Sequence, residues 1–217
     1  MIDRMSRINR GYNRAFKANK LSLGVVVPLE NYATSAVPRM HKQVELKQLA
    51  DKLGFAAVWL RDVLYNVPSF GDAGHIYDPF VYLGMLAAQT QNIALGVASI
   101  VLPLRHPAHV AKAAASVDVL SNGRLILGVA SGDRPEEYPA LNIPFEQRGE
   151  LFRESYQYIQ ACWQPCAEFA NHYGSVSHDV DLIPKPKHGR LPTLITGSSQ
   201  QNDEWLAAHG DDNKEYA

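Results

Sequence analysis

The chain has 217 residues, 46% of them apolar, and its 21 Lys and Arg nearly balance 22 Asp and Glu for a formal net charge of -1. That much apolar material closes a sizeable core and excludes a disordered chain, while the even charge gives no footprint for a nucleic-acid or membrane partner. Two cysteines, Cys162 and Cys166, are too few for a disulfide framework and lack matched zinc ligands, so they read as reduced, buried thiols of a cytoplasmic protein.

Residues 1–20 gather Arg4, Arg7, Arg10, Arg14, Lys17 and Lys20 without the apolar stretch of a signal peptide, and read first as a solvated, partly disordered basic arm and second as an anion-attracting one. Strand candidates follow at Leu23 to Val27, Phe55 to Leu60, Ile93 to Leu102, Leu125 to Val129 and Pro192 to Thr196, each trailed by helical periodicity. Leu46, Leu49, Ala50 and Leu53 mark the first helix, and Asp78-Pro79 caps a second that carries Phe80, Leu83, Gly84 and Ala87. Phe152, Ser155, Tyr156 and Ile159 mark the fourth, and Gln201 to Ala208 the fifth. Pro184, Pro186 and Gly189 break up an insertion at 165–191, where a short hairpin around Phe169 to Ile183 is expected, a common place for a lid. Residues 211–217 form a polar tail.

The densest signal is the third unit. Ile93 to Leu102 is a β-branched apolar run ended by Pro103, Val110, Ala111, Ala114, Ala115 and Val117 fall at helical spacing, and Leu125 to Val129 is a second buried strand. Both strands are apolar on two faces, which implies a parallel sheet covered by helices, and Asn122-Gly123 stops the intervening helix with a left-handed cap. The fold class is therefore α/β, built of TIM-barrel-type βα units, as an incomplete barrel of about five parallel strands where a closed one has about eight.

Gly96 to Pro103, His106-Pro107, Leu120 to Arg124 and Gly128 to Gly132 closely resemble, in order, the bacterial-luciferase-like flavin monooxygenases, and the resemblance runs from about Leu21 to Gly210. It implies a cofactor, FMN ahead of a deazaflavin, with reduced FMN supplied by a partner reductase and an apolar aldehyde, alkane or ketone oxygenated with molecular oxygen. It places a cis peptide behind the flavin ring at Ala98-Ser99 and carries the phosphate contacts onto Ser131, Arg148, Ser198, Ser199 and Asn202. Ser131 replaces an arginine found in the luciferases and Ser198 an acidic residue. From the residues alone, Gly197-Ser198-Ser199 before a helix is an anion-binding arrangement or simple capping, and Arg148 is a phosphate clamp or a solvated partner of Glu146 or Glu150.

The family's histidine just after the second strand is Val63 here, which removes its general acid/base. Asp62 and His75 are the remaining candidates, His75 reading first as a surface loop histidine. His106 and His109 lack a third ligand at metal spacing, and His106 before Pro107 reads as a helix entry, so no metal is expected. Schiff-base aldolases need a barrel-strand lysine and amidohydrolases a His-x-His on the first strand, and neither is present. Two readings remain: an FMN-dependent monooxygenase acting on a small apolar substrate, and a shortened, non-catalytic flavin-binding protein. The five-stranded arc leaves two apolar sheet edges, for which homodimerisation is expected, a naturally defective product being the alternative.

Overall fold

In a computed structural model, described for residues 9–30, 35–71 and 73–209, five parallel strands form one sheet in the order β1-β2-β3-β4-β7. They are β1 (Gly24–Val26), β2 (Ala57–Leu60), β3 (Ala94–Val101), β4 (Leu125–Ala130) and β7 (Thr193–Ile195), each inside its expected span or within one residue of it. Helices α2 (Gln43–Lys52), α3 (Pro79–Gln89), α4 (Pro107–Leu120) and α5 (Arg148–Cys162) alternate with them, and α6 (Asp203–His209) follows β7. The sheet is an open arc of barrel units.

Alternate residues of each strand face two cores, as the strand period of two requires. Val58, Leu60, Leu95, Val97, Leu127, Val129 and Ile195 meet the helices. Ala57, Ala94 and Ile126 turn to the barrel interior with Trp59 and Leu194. The Trp59 indole lies across both neighbouring strands, and a Cβ on Gly96 would stand 2.2 Å from its ring. Asn122 and Gly123, at φ 60° and 78°, cap α4 in the left-handed region as the dipeptide requires. Asp78 caps α3 by accepting from the Phe80 and Val81 amides, and His106 caps α4 through Nδ1, which accepts from the Ala108 amide.

The basic arm is not simply solvated. Residues Arg10–Ala15 form a helix, α1, with Tyr12 and Ala15 buried. Asn9 caps it, accepting from the Tyr12 amide and donating to Leu125 O at 2.6 Å, and the Gly11 amide donates to Gly123 O. A Cβ on Gly11 would meet Arg124 O at 2.3 Å, so glycine permits the close approach. Six residues cannot hold a helix in water; docking under the amino-terminal ends of the strands, with Ala15 and Phe16 against the interior core, supplies what propensity does not. The rest of that arm, Arg4 and Arg7 included, and the 211–217 tail lie outside the described residues.

The insertion holds a hairpin of β5 (Phe169–Asn171) and β6 (Gly174–Val176), shorter than expected. Its contacts run along the helix layer: Asn171 donates to Glu154 O, Lys185 to Cys162 O and Gln164 O, and the Lys187 amide to Asp118. This is an outer strap on α4 and α5, and a cavity of about 270 Å³ lined by Ala108, Tyr158, Cys162, Val176 and Leu182 lies beneath it. Of the two thiols, Cys162 is buried as expected and Cys166 is exposed, in the turn that starts the strap.

Candidate cofactor site at the carboxyl ends of the strands

β3 carries the first half of the site. Its pairing with β4 steps from Val97↔Leu127 to Ile100↔Val129, so Ala98 and Ser99 face one residue, Gly128. This is a β-bulge, and the Ala98-Ser99 peptide within it is cis. A Cβ on Gly128 would come within 2.1 Å of Val97 O, so the bulge requires glycine beside it. Ala98 is exposed and Ser99 partly so, which leaves a shelf of small residues and open backbone at the end of the sheet.

The second half is the turn after β7. Ser199, at φ 47°, donates its hydroxyl to Thr196 O at 3.0 Å, and Asn202 caps α6 by accepting from the Trp205 amide. Gln201 pins the turn to the start of α5, donating to Gly149 O at 2.7 Å and accepting from Arg153. That contact brings Arg148 beside residues 198–202. The Arg148 guanidinium lies 3.9 Å from the Phe145 ring centroid and donates through Nη1 to Phe145 O, with its other donors outside these bonds. Phe145 in turn meets Tyr138 edge-on, and the Tyr138 hydroxyl donates to Ser131 O. Burial pushes the Tyr138 hydroxyl pKa upward, so it stays a donor. Ser131, Arg148, Ser199 and Asn202 are thus joined by packing, and Ser198 is exposed at the same turn. Helix α6 has seven residues with Asp203 and Glu204 in its first turn, so its amino terminus is already complemented by carboxylates. An anion here depends on Arg148 and the turn.

Asp62 has another task. One carboxylate oxygen accepts from the Val101 amide and Arg105 Nε, the other from Arg105 Nη2 at 2.7 Å, and Arg105 also reaches Asp78 at 2.9 Å. Burial alone would lower the Arg105 pKa, but Asp62 and Asp78 outweigh it and hold the guanidinium charged. This ion network clamps the end of β3 to the start of α3. His75 is not a surface group: it is 1% exposed, stacks on Tyr82 at 5.6 Å, and neither ring nitrogen has a hydrogen-bond partner among the described residues. Burial lowers its pKa to about 4, with Arg61 and Lys47 adding to that shift and Asp62 and Asp78 opposing it. Gly74 packs against Val63, so this loop covers the place of the family's histidine while the His75 ring turns to the helix-side core.

A third feature went unread in the sequence. Glu137, buried, accepts from the Leu64 and Tyr65 amides at 3.1 Å, and Arg134 lies over the Phe70 ring at 4.6 Å, so the loop after β4 grips the loop after β2. Burial raises the Glu137 pKa, against the two amide hydrogen bonds and Arg134, which lower it. Leu64, Tyr65 and Phe70 remain exposed on that gripped loop as an apolar rim. The signal available beforehand was Asp133-Arg134-Pro135-Glu136-Glu137, charges directly after a buried strand.

Five parallel βα units with a bulged third strand define a partial α/β barrel. Residues 21–212 match the family described as luciferase-like monooxygenase, and the chain belongs to that family. It is similar to the oxygenase component of the flavin-dependent trigonelline monooxygenase of Acinetobacter baylyi, 29% identical over 179 residues that cover 81% of this chain and 45% of that protein. A second relative is the F420-dependent glucose-6-phosphate dehydrogenase of Beutenbergia cavernae, 38% identical over 119 residues, 53% of this chain and 34% of that one. The solved oxygenating constituent of 3,6-diketocamphane monooxygenase from Pseudomonas putida, in complex with FMN, shares the fold at a TM-score of 0.65 and 19% identity, covering 82% of this chain and 51% of that one. The chain spans about half the length or less of these proteins.

Proposed function

We propose that this chain forms the FMN-binding part of a luciferase-like oxidoreductase that oxygenates a small apolar substrate with reduced flavin, supplied by a reductase, and oxygen. The observation that carries the reading is the β-bulge at Ala98 and Ser99 over Gly128, beside a turn that Gln201 ties to Gly149, next to Arg148. The residues fit the group: small side chains leave the shelf open to a flat ring, and the guanidinium with the Ser198 hydroxyl suits a phosphate. When bound, the flavin would supply the redox chemistry. The chain's own residues would orient it, with Ala98 and Ser99 under the ring and Arg148, Ser198 and the 197–202 turn at the phosphate. Leu64, Tyr65 and Phe70, gripped by Glu137 and Arg134, would wall the substrate side and exclude water.

A second reading, a flavin-binding protein without turnover, is favoured by the absence of a free proton-transfer group at the three candidate positions. Val63 stands where the family places its histidine, Asp62 is committed to Arg105, and the His75 ring is buried against Tyr82. Titration with FMN, riboflavin and a deazaflavin, followed by absorbance and fluorescence, tests the cofactor; FMN binding tighter than riboflavin is expected, and preference for the deazaflavin would overturn that choice. Reduced FMN, oxygen and a panel of aldehydes and ketones then separate the readings. Product coupled to flavin oxidation supports the oxygenase, whereas hydrogen peroxide without product supports the binding protein. For this chain alone, loss of a proton-transfer group of this kind predicts turnover slower by about 10²- to 10⁴-fold than in a histidine-bearing relative.

A further inference from the structure

Thr196 joins the two halves of the candidate site. Its amide donates to Val129 O at 3.0 Å, prolonging the β4–β7 ladder, so the sheet fixes its place. Its carbonyl accepts the Ser199 hydroxyl and so shapes the turn. Its own hydroxyl hydrogen-bonds that of Ser99 on the bulge of β3, reaching across β4, which lies between the two strands. The reach is open because β4 contributes Gly128 at the level of the bulge and the β3–β4 ladder is interrupted between Val97 and Ile100. Thr196 is exposed and Ser99 partly so, so the hydroxyl pair lines the opening of the site.

Resting on the flavin reading above, we infer that Thr196 is a positioning residue that couples the ring-side shelf to the phosphate-side turn. Two hydroxyls that share one hydrogen bond keep one hydrogen and several lone pairs to offer outward, which suits a polar edge of a flat heteroaromatic ring. The same residue sets the Ser199 rotamer through its carbonyl, so shelf and turn hold a fixed spacing. A rigid ligand that touches both, a ring carrying a phosphate, depends on that spacing; a ring without the phosphate depends on the shelf alone.

The test measures FMN and riboflavin affinity by fluorescence quenching for the wild-type chain, Thr196→Val, Thr196→Ser, Ser99→Ala and the Thr196→Val/Ser99→Ala double variant, each checked for its unfolding midpoint without flavin. Thr196→Val is expected to weaken FMN about tenfold and riboflavin no more than about threefold, Thr196→Ser to restore binding to within about twofold, and the double variant to lose no more than either single one. FMN binding by Thr196→Val at wild-type strength, equal losses for FMN and riboflavin, or additive losses in the double variant would each overturn the inference. If Thr196→Val does not fold, Ser99→Ala decides by the same FMN-to-riboflavin criterion. A wild-type chain that binds neither compound sinks this inference and the flavin reading together, whereas flavin binding indifferent to Thr196 sinks the inference alone.

Discussion

The two ends of the parallel sheet are built from the same strands and treated in opposite ways. At the amino-terminal end, Arg124, buried, donates to Ser121 O, Ile93 O, Ala87 O, Thr90 O and the Thr90 hydroxyl, while Asp51 accepts three successive amides from Gln91 to Ile93. Helix α1 then covers the strand starts. At the carboxyl end, buried polar atoms of His75, Tyr82 and Arg134 have no hydrogen-bond partner among the described residues, and Ala98, Thr196 and Ser198 are exposed. Closed polar networks make one end a stability device; at the other, the closed networks of Asp62 and Glu137 hold loops around polar groups that stay open to a ligand.

The largest effect that sharpens this contrast is expected at Arg124. Arg124→Leu leaves four carbonyls and a hydroxyl without their donor, for a loss of about 3 to 5 kcal/mol by urea unfolding. Flavin affinity of the folded fraction should be unchanged. A loss under about 1 kcal/mol would break the contrast, since the amino-terminal end would then not carry stability.

His75 gives the next effect, and its sign follows from its lowered pKa. Above pH 6.5 the ring is neutral folded and unfolded; between 6.5 and about 4 the unfolded chain takes up a proton that the folded chain refuses. Stability should therefore fall across that window by up to about 3 kcal/mol and level off below it. Arg61 and Lys47 face the ring and work in the same direction, Asp62 and Asp78 work against it, and Tyr82 is neutral throughout, its hydroxyl pKa pushed up to about 12 by burial. His75→Phe should flatten the profile, and unfolding midpoints between pH 4 and 8 that fall equally steeply in both chains would remove the assignment.

Arg148→Ala is expected to weaken FMN by about 1.5 to 3 kcal/mol and leave riboflavin nearly unaffected, because a charge-assisted phosphate contact is removed. Equal affinity of the unaltered chain for the two compounds would mean that the turn after β7 forms no phosphate site. The smallest effect belongs to His106→Ala, which deletes a helix cap and should cost about 0.5 to 1 kcal/mol in stability without touching flavin affinity.

Legibility in the sequence followed the range over which each feature is stabilised. The β3–α4–β4 unit was readable because its strands are buried on both faces and its turn residues, Asn122 and Gly123, dictate their own conformation. The resemblance proposes Ser131, Arg148, Ser199 and Asn202 as site positions, and only the structure shows that packing through Tyr138, Phe145 and Gln201 brings their segments together. The burial of His75 was not readable, because its neighbours Tyr82 and Lys47 come from two different helices. Nor was the end of the hairpin at Val176, where pairing depends on the faces that α4 and α5 offer.

The sequence by itself determined the family, through motifs that recur in order along the chain, and the βα order and the sites of helix caps and turns, each set by residues within a few positions of one another. Tertiary structure alone decided that Arg10 to Ala15 is a helix under the sheet, that Asp62 is held by Arg105, and that Thr196 meets Ser99. Asn9 is held by Leu125 from 116 residues away and Ser99 by Thr196 from 97, and such contacts leave no local pattern because each partner supplies what the other's own neighbourhood lacks.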